Sequence, residues 1–124
     1  MSESARTLFA AAIGDAEQTA LLLDSSGAPL AGSYIDQNGR DISAEIGAAL
    51  SGVSKEVSRS MRLLSLGAWT AVVIETEAAT IALAPAVQDA VVLLASSSTV
   101  PLGLVRRVLT RSVALAINWM SGRA

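Results

Sequence analysis

Hydrophobic residues follow two spacings along this chain, one typical of helices and the other typical of strands. Apolar side chains recur at helical spacing in residues 4–13, and Gly14 can end that helix. Residues 19–24 and 29–34 predict a hairpin, because Gly27 in the polar cluster between them can adopt a positive φ. Since Pro29 cannot donate a hydrogen bond to a ladder, the second strand should begin there or lie at a sheet edge.

Residues 41–64 predict one long amphipathic helix, which Asp41 or Ser43 can cap. Its apolar stripe, expected to face the core, consists of Ile42, Ile46, Ala49, Val53, Val57, Met61 and Leu64. Many residues on the rest of the helix have small side chains, although each glycine inside a helix costs about 1 kcal/mol relative to alanine. A close contact with another helix would offset that cost, and the alternative is a solvated face that happens to be small. The small residues are Ala44, Gly47, Ala48, Ser51, Gly52, Ser54 and Ser58.

Three short strands and a final helix complete the pattern. Residues 69–76 are apolar on both alternating faces, as expected of a covered strand, and residues 80–84 and 90–95 predict two more strands. The turn between the first two contains no glycine, so it should be longer than two residues. Residues 101–120 predict an amphipathic helix that begins at Pro101. The order is therefore helix, two strands, helix, three strands, helix.

Composition narrows the classes of function. A chain of 124 residues with 52% hydrophobic composition fits a single domain over residues 1–124, ordered from about residue 5 to residue 120. A net charge of −2 gives no general attraction to nucleic acid. Because the chain contains neither cysteine nor histidine, it lacks the usual residues of triads and zinc sites. We expect no catalytic constellation, cofactor or metal.

The sequence predicts a protein without an integral membrane segment. Its first residues lack the basic start and apolar run of a signal peptide. Residues 100–120 are apolar, but Arg106, Arg107 and Arg111 would be costly within hydrocarbon. A cytoplasmic location is the expectation from these two features.

Charged residues offer few candidates for chemistry. Glu75 and Glu77 could form a pair of acids, although a solvated turn is the stronger interpretation. The glycines do not match a phosphate-binding or dinucleotide-binding motif. Two basic strips remain, each suited to an acidic partner or simply to solubility: Lys55, Arg59 and Arg62 on the long helix, and Arg106, Arg107 and Arg111 on the last.

The layout resembles the Roadblock family of dynein light chains and, more closely, its bacterial MglB-like members. The resemblance covers about residues 8–120 and depends on three segments: ALLLDSSGAPLA at 20–31, VVIET at 72–76 and PLGLVR at 101–106. It implies an α+β fold with profilin-like layering, in which a five-stranded antiparallel sheet has the first and last helices on one face and the middle helix on the other.

The resemblance also implies a homodimer, in which the third strands join edge to edge and the middle helices pack together. Such an interface would account for the small side of the long helix and for the apolar strand after it. The residues expected in the interface are Ala44, Gly47, Ala48, Ser51, Gly52, Ser58, Trp69, Ala71 and Val73.

Members of this family regulate or scaffold small Ras-like GTPases, and bacterial members are often partnered with an MglA-type GTPase. The resemblance therefore implies that the paired middle helices meet the switch region of a GTPase. The candidate contacts are Lys55, Glu56, Arg59 and Arg62. No motif of the family fixes a catalytic residue, so an adaptor that leaves hydrolysis unchanged is the alternative. A small-molecule sensor would need a concave pocket, which nothing in the sequence marks.

Overall fold

The computed structural model describes residues 1–14 and 18–122, and the predicted domain extends outside them at 15–17 and 123–124. The elements follow the predicted order, apart from a divided first helix. The helices are α1 Glu3–Arg6, α2 Ala10–Ile13, α3 Ser43–Leu63 and α4 Leu102–Ser121. The strands are β1 Gln18–Leu23, β2 Pro29–Gly32, β3 Val72–Glu75, β4 Ala79–Pro85 and β5 Val91–Ser97.

The five strands form one antiparallel sheet in the order β2-β1-β5-β4-β3. Strand β5 lies in the centre, where Leu93 pairs with Leu21 on one side and with Leu83 on the other. Strands β2 and β3 form the two edges, so Pro29 begins an edge strand as predicted. Because α3 connects these two edge strands, it must cross one face of the sheet.

Alternating side chains of the strands divide the core into two clusters, one on each face. Leu22, Val92 and Leu94 face the cluster that α1, α2 and α4 cover. Leu21 and Leu93 belong to the other cluster, against which the apolar residues of α3 pack. The α+β class, the antiparallel sheet and the two helical layers are confirmed.

The first predicted helix, over residues 4–13, is wrong as a single element. The helix stops at Thr7, whose backbone leaves the helical region and whose hydroxyl donates to the Glu3 carbonyl at 2.9 Å. A threonine hydroxyl bonded in this way commonly bends a helix. Helix α2 begins after Phe9, which is 3% exposed, and it ends at Gly14 as predicted.

Both edge strands are shorter than predicted. Strand β2 ends at Gly32, where φ is 78° and any side chain would collide with the carbonyl of Ala20. The prediction to residue 34 was therefore too long. Strand β3 begins at Val72 instead of residue 69, and the turn after it has three residues, in agreement with the absence of glycine.

The start of α3 differs from the predicted cap. Ile42 is the N-cap, and its own side chain forms no capping hydrogen bond. Asp41 instead accepts hydrogen bonds from the Ser43 amide at 2.9 Å and from its hydroxyl at 2.5 Å. The Ser43 hydroxyl accepts in turn from the Tyr34 amide at 2.7 Å. These bonds hold the pKa of Asp41 below its usual value, chiefly through the Ser43 hydroxyl.

Candidate interaction surface

Helix α3 has buried residues only near its start, where it contacts the sheet. Ser43 and Gly47 are the residues of α3 that are buried, and Ile46, Leu50 and Val53 are half-buried against the sheet. The core-facing line therefore runs through Leu50, whereas the predicted stripe placed Ala49 there. Ala49 is exposed. A helix of 21 residues is about 31 Å long, longer than the width of about 19 Å that five strands span.

Position 47 requires a glycine, because the turn between β1 and β2 of the same chain approaches it closely. A side chain at Gly47 would collide with the carbonyl of Gly27, and one at Gly27 would lie 2.5 Å from the carbonyl of Gly47. Gly27 also has a φ of 89°, which other residues rarely adopt. Gly47 was predicted to contact a second copy, but the turn between β1 and β2 occupies that position. Sequence reasoning missed this contact, although each glycine had been noted separately.

Asp24 fixes the hairpin turn that Gly47 meets. One of its carboxylate oxygens accepts bonds from the Ser26 amide at 2.9 Å, the Ser26 hydroxyl at 2.7 Å and the Ala28 amide at 3.0 Å. The Ser26 hydroxyl is the main reason why the pKa of Asp24 lies below its usual value. The charged carboxylate therefore stabilises the turn on which α3 rests.

The outward side of α3 carries small residues along the first half of the helix. Ala44, Ala48 and Gly52 follow one another at intervals of four and are exposed, and a Cβ atom added at Gly52 would meet none of the described residues within 4 Å. Ser51, between them, is half-buried. The chain itself therefore gives no reason for a glycine at position 52, in contrast to position 47. We refer to Ala44, Ala48 and Gly52 as the small strip.

Beyond the small strip, the same helix becomes charged. Lys55, Glu56, Arg59 and Arg62 are all exposed, as expected for a contact surface. Arg59 donates to both oxygens of Glu56, at 2.7 Å and 3.2 Å, and this bonding lowers the pKa of Glu56 and raises that of Arg59. In the part of the chain that the structure describes, neither Lys55 nor Arg62 forms an ion pair. These two cations are therefore available to an anionic partner.

Ser58 and Trp69, both predicted in the dimer interface, contact each other within one chain. The indole nitrogen of Trp69 donates to the Ser58 hydroxyl at 2.8 Å. Trp69 precedes β3 and packs against the core cluster under α3, while Val73 packs against the opposite cluster. Ala71 lies just before the strand and is exposed.

Strand β3 presents the outer edge of the sheet. Val72, Val73 and Ile74 are half-buried, and in the described residues only β4 pairs with this strand. Its outward amides and carbonyls are open to another strand, and exposed apolar edges of this kind promote pairing between chains.

Three exposed leucines lie where α3 ends, and sequence reasoning missed two of them. Leu63, Leu64 and Leu66 are 70%, 62% and 67% exposed. Leu64 was predicted to face the core, but the helix ends there and the backbone of Ser65 turns to a φ of 56°. Leu63 and Leu66 fall outside the helical apolar stripe, and that departure from the spacing was the signal of an exposed position.

The second basic strip lies on α4. Arg106, Arg107 and Arg111 are exposed, as their spacing predicted. Within residues 1–14 and 18–122, no group of acidic, histidine or cysteine side chains could hold a metal ion. None of the described helices combines the length and the hydropathy that crossing a bilayer requires.

Comparisons with known proteins identify the fold. No family model matches the sequence, and no curated protein matches it. Among solved structures, MglB of Myxococcus xanthus has a TM-score of 0.79 at 14% identity, with 97% of each chain covered. A Roadblock/LC7 domain from Streptomyces avermitilis also has a TM-score of 0.79 at 14% identity, covering 94% of this chain and 97% of that one.

A further solved structure, described as MglB with a tetrameric arrangement, has a TM-score of 0.73 at 21% identity. It covers 92% of this chain and 86% of the other. The likeness extends over nearly the whole length of each structure, although few residues are identical. The chain therefore has the fold of Roadblock/LC7 domains and MglB, as the resemblance predicted.

Proposed function

We propose that the chain is a single-domain member of the Roadblock family that forms a homodimer and regulates a small Ras-like GTPase. The observation that carries this proposal is the small strip, because Ala44, Ala48 and Gly52 are exposed and a Cβ atom at Gly52 would meet none of the described residues within 4 Å. Small side chains allow two helices to approach closely, and a second copy of α3 would use them in that way.

The proposed interface joins two surfaces of the monomer. The small strip, with Ser51 beside it, packs against its counterpart in the second copy, and the edge of β3 with Ala71 and Val73 pairs with the other β3. Gly47, Ser58 and Trp69 are engaged within their own chain, so we do not assign them a central place in the interface. The MglB with a tetrameric arrangement shares this fold, which supports self-association as the starting hypothesis.

The proposed GTPase contact lies on the charged half of α3, with Lys55, Glu56, Arg59 and Arg62. Lys55 and Arg62, which form no ion pair among the described residues, would meet acidic residues of the switch region, whereas Glu56 and Arg59 partly neutralise each other. The protein would stabilise one conformation of the GTPase without supplying a catalytic group of its own. We place it in the cytoplasm, where such GTPases act.

The oligomeric state tests the first part of this proposal. We expect the chain to sediment as a dimer at micromolar concentration and the Ala48→Arg variant to sediment as a monomer, because a long cation would separate the paired helices. Ala114→Arg is the matched control, since Ala114 is exposed on α4. A monomeric unmodified chain would refute the dimer, and equal effects of both variants would refute the small strip as its interface.

GTP hydrolysis tests the second part. An MglA-type GTPase should hydrolyse GTP at a different rate when this chain is added, and Arg62→Ala should reduce the effect about tenfold. The control is Arg107→Ala, which removes the same charge from α4. Binding that leaves the rate of GTP hydrolysis unchanged would favour an adaptor over a regulator.

A further inference from the structure

A groove lies between the second half of α3 and the two turns that face it, and we call it the α3 groove. One part has a volume of about 390 Å³, and an adjoining part has a volume of about 540 Å³. Both parts share Ser58, Arg62, Trp69, Pro85 and Asp89. Binding sites for small molecules typically have volumes of about 300–1,000 Å³, so the groove has the size of such a site.

The α3 groove is more positive than the rest of this acidic protein. Lys55, Arg59 and Arg62 line it from one helix, and the opposing carboxylate in the wall is Asp89. Arg59 is paired with Glu56, but no described residue forms an ion pair with Lys55 or Arg62. A cleft lined by charges of one sign concentrates its field and attracts counter-ions. Guanidinium and ammonium groups bind phosphate through charge-assisted hydrogen bonds.

Hydroxyl groups stand among these cations. Ser25, Ser54 and Ser58 line the same part of the groove. The Ser58 hydroxyl accepts a bond from Trp69, so its own hydrogen remains free to donate. The Ser54 hydroxyl already donates to the Ser51 carbonyl at 3.1 Å, so Ser25 and Ser58 are the hydroxyl donors that can supplement the cations at a phosphate group.

The opposite wall offers different chemistry. Asp89 belongs to a turn in which Gln88 and Asp89 have φ values of 56° and 62°, and the Ala90 amide bonds to the Val87 carbonyl at 3.0 Å. Glycine or asparagine usually occupies such positions, so the backbone bears strain there. The turn places an acceptor-only carboxylate at the groove wall, where it suits a hydroxyl or amino group of a ligand. Trp69 adds an aromatic surface.

We propose that the α3 groove binds a small molecule of the nucleotide class, with phosphate, hydroxyl donors and a ring. Lys55 and Arg62 bind the phosphate, Asp89 accepts from a hydroxyl or amino group, and Trp69 contacts the ring. Base stacking on an aromatic side chain is a common source of affinity in such sites. The proposal does not depend on a GTPase, because the site lies within one chain.

Trp69 can report on binding directly. The chain has two tryptophans, so Trp119→Phe leaves Trp69 as the single indole. We expect ADP to change its emission saturably in the submillimolar range, pyrophosphate to bind more weakly, and adenosine not to bind. Calorimetry on the unmodified chain repeats the measurement without the substitution. Ionic strength is held constant, because salt screens exposed charges.

Two exposed arginines provide the variant and its control. Arg62→Ala should weaken ADP binding about tenfold, whereas Arg107→Ala, on the other face of the sheet, should leave it unchanged. Saturable binding with this difference supports the site. No binding of ADP at millimolar concentration, equal loss in both variants, or pyrophosphate binding as tight as ADP would overturn the proposal. Each result is read on the isolated chain, so it is independent of the GTPase test.

Discussion

The two long helices of this protein cover opposite faces of one sheet, but only α4 is buried along its length. Helix α4 buries Val105, Val108, Leu109, Ser112 and Ala116, which extend over about three of its turns. Helix α3 buries only Ser43 and Gly47, both within its first five residues. The two helices have almost equal lengths, 20 and 21 residues, and both are amphipathic.

The difference shows that amphipathicity indicates which side of a helix docks, but not how closely it docks. Helix α4 follows the central strand β5 directly and returns over β5 and β4. Helix α3 must connect the two sheet edges, so the course of the chain limits its contact. What its own sheet leaves uncovered is the small strip, the α3 groove and the exposed leucines. Apart from the outer edge of β3, the surfaces to which we assign partners or ligands therefore belong to α3 or adjoin it.

Truncating one leucine on each helix should give the largest contrast. Leu109 is 4% exposed, so Leu109→Ala should lower the free energy of unfolding by about 3 kcal/mol. Leu50 is half-buried, and Leu50→Ala should cost about 1 kcal/mol, because part of its surface already meets water. Urea denaturation at equal protein concentration measures both. Equal losses would show that α3 is packed as tightly as α4 in solution.

The two glycines of α3 should respond to alanine in opposite directions. Gly47→Ala should cost about 2 kcal/mol, because the added carbon collides with the Gly27 carbonyl and the backbone cannot easily move. Gly52→Ala should stabilise the monomer by up to about 1 kcal/mol, since space is open and alanine favours helices. Thermal unfolding of both variants tests this pair. A loss at position 52 that grows with protein concentration would place that residue in the dimer interface.

Two buried serines offer a smaller contrast. The Ser43 hydroxyl bonds to both Asp41 and Tyr34, so Ser43→Ala should cost about 1.5 kcal/mol. Ser112 is fully buried, and its hydroxyl has no hydrogen-bond partner among the described residues. Removing it should therefore stabilise the fold by up to about 1 kcal/mol. Chemical denaturation of both variants measures these changes in the free energy of unfolding. A destabilised Ser112→Ala variant would reveal a hydrogen bond that the hydroxyl makes in solution.

Lowering the pH should destabilise α3 before α4, and we expect this to be the smallest of the four effects. Asp24 and Asp41, which hold the hairpin turn and the start of α3, both have a pKa lowered from the usual 3.8. A lowered pKa in the folded state contributes stability above the unfolded value, and that stability is lost as pH falls through the folded value. Helix α4 contains no carboxylate. The relevant pH range therefore lies below about 3.8.

Single-tryptophan variants can separate the two helices in that titration. In Trp119→Phe the remaining indole reports on α3, and in Trp69→Phe it reports on α4. We expect the Trp69 signal to change at higher pH than the Trp119 signal, and Asp41→Asn to weaken this pH dependence. Coincident transitions in both variants would mean that acid unfolds the sheet and its helices together.

Local pattern predicted most of the elements but not their ends. The order of strands and helices, the edge position of Pro29 and the long turn after β3 followed from spacing and from turn chemistry. The break at Thr7 and the early end of β2 at Gly32 did not, because each depends on a specific bond or a close approach. The candidate surface shows the same division. The exposed charges on α3 were found from their spacing, but the groove beside them required the positions of two distant turns.

Gly47 and Gly52 show most clearly what the sequence determined and what the tertiary structure decided. Alternation and helical spacing are properties of neighbouring residues, so the sequence alone determined the α+β class and the amphipathic sides of both long helices. Whether a small residue meets its own chain or open space depends on residues far away in the sequence. Only the folded chain placed Gly27 against Gly47 and left Gly52 uncovered, because that contact arises when a hairpin and a helix pack on the same sheet.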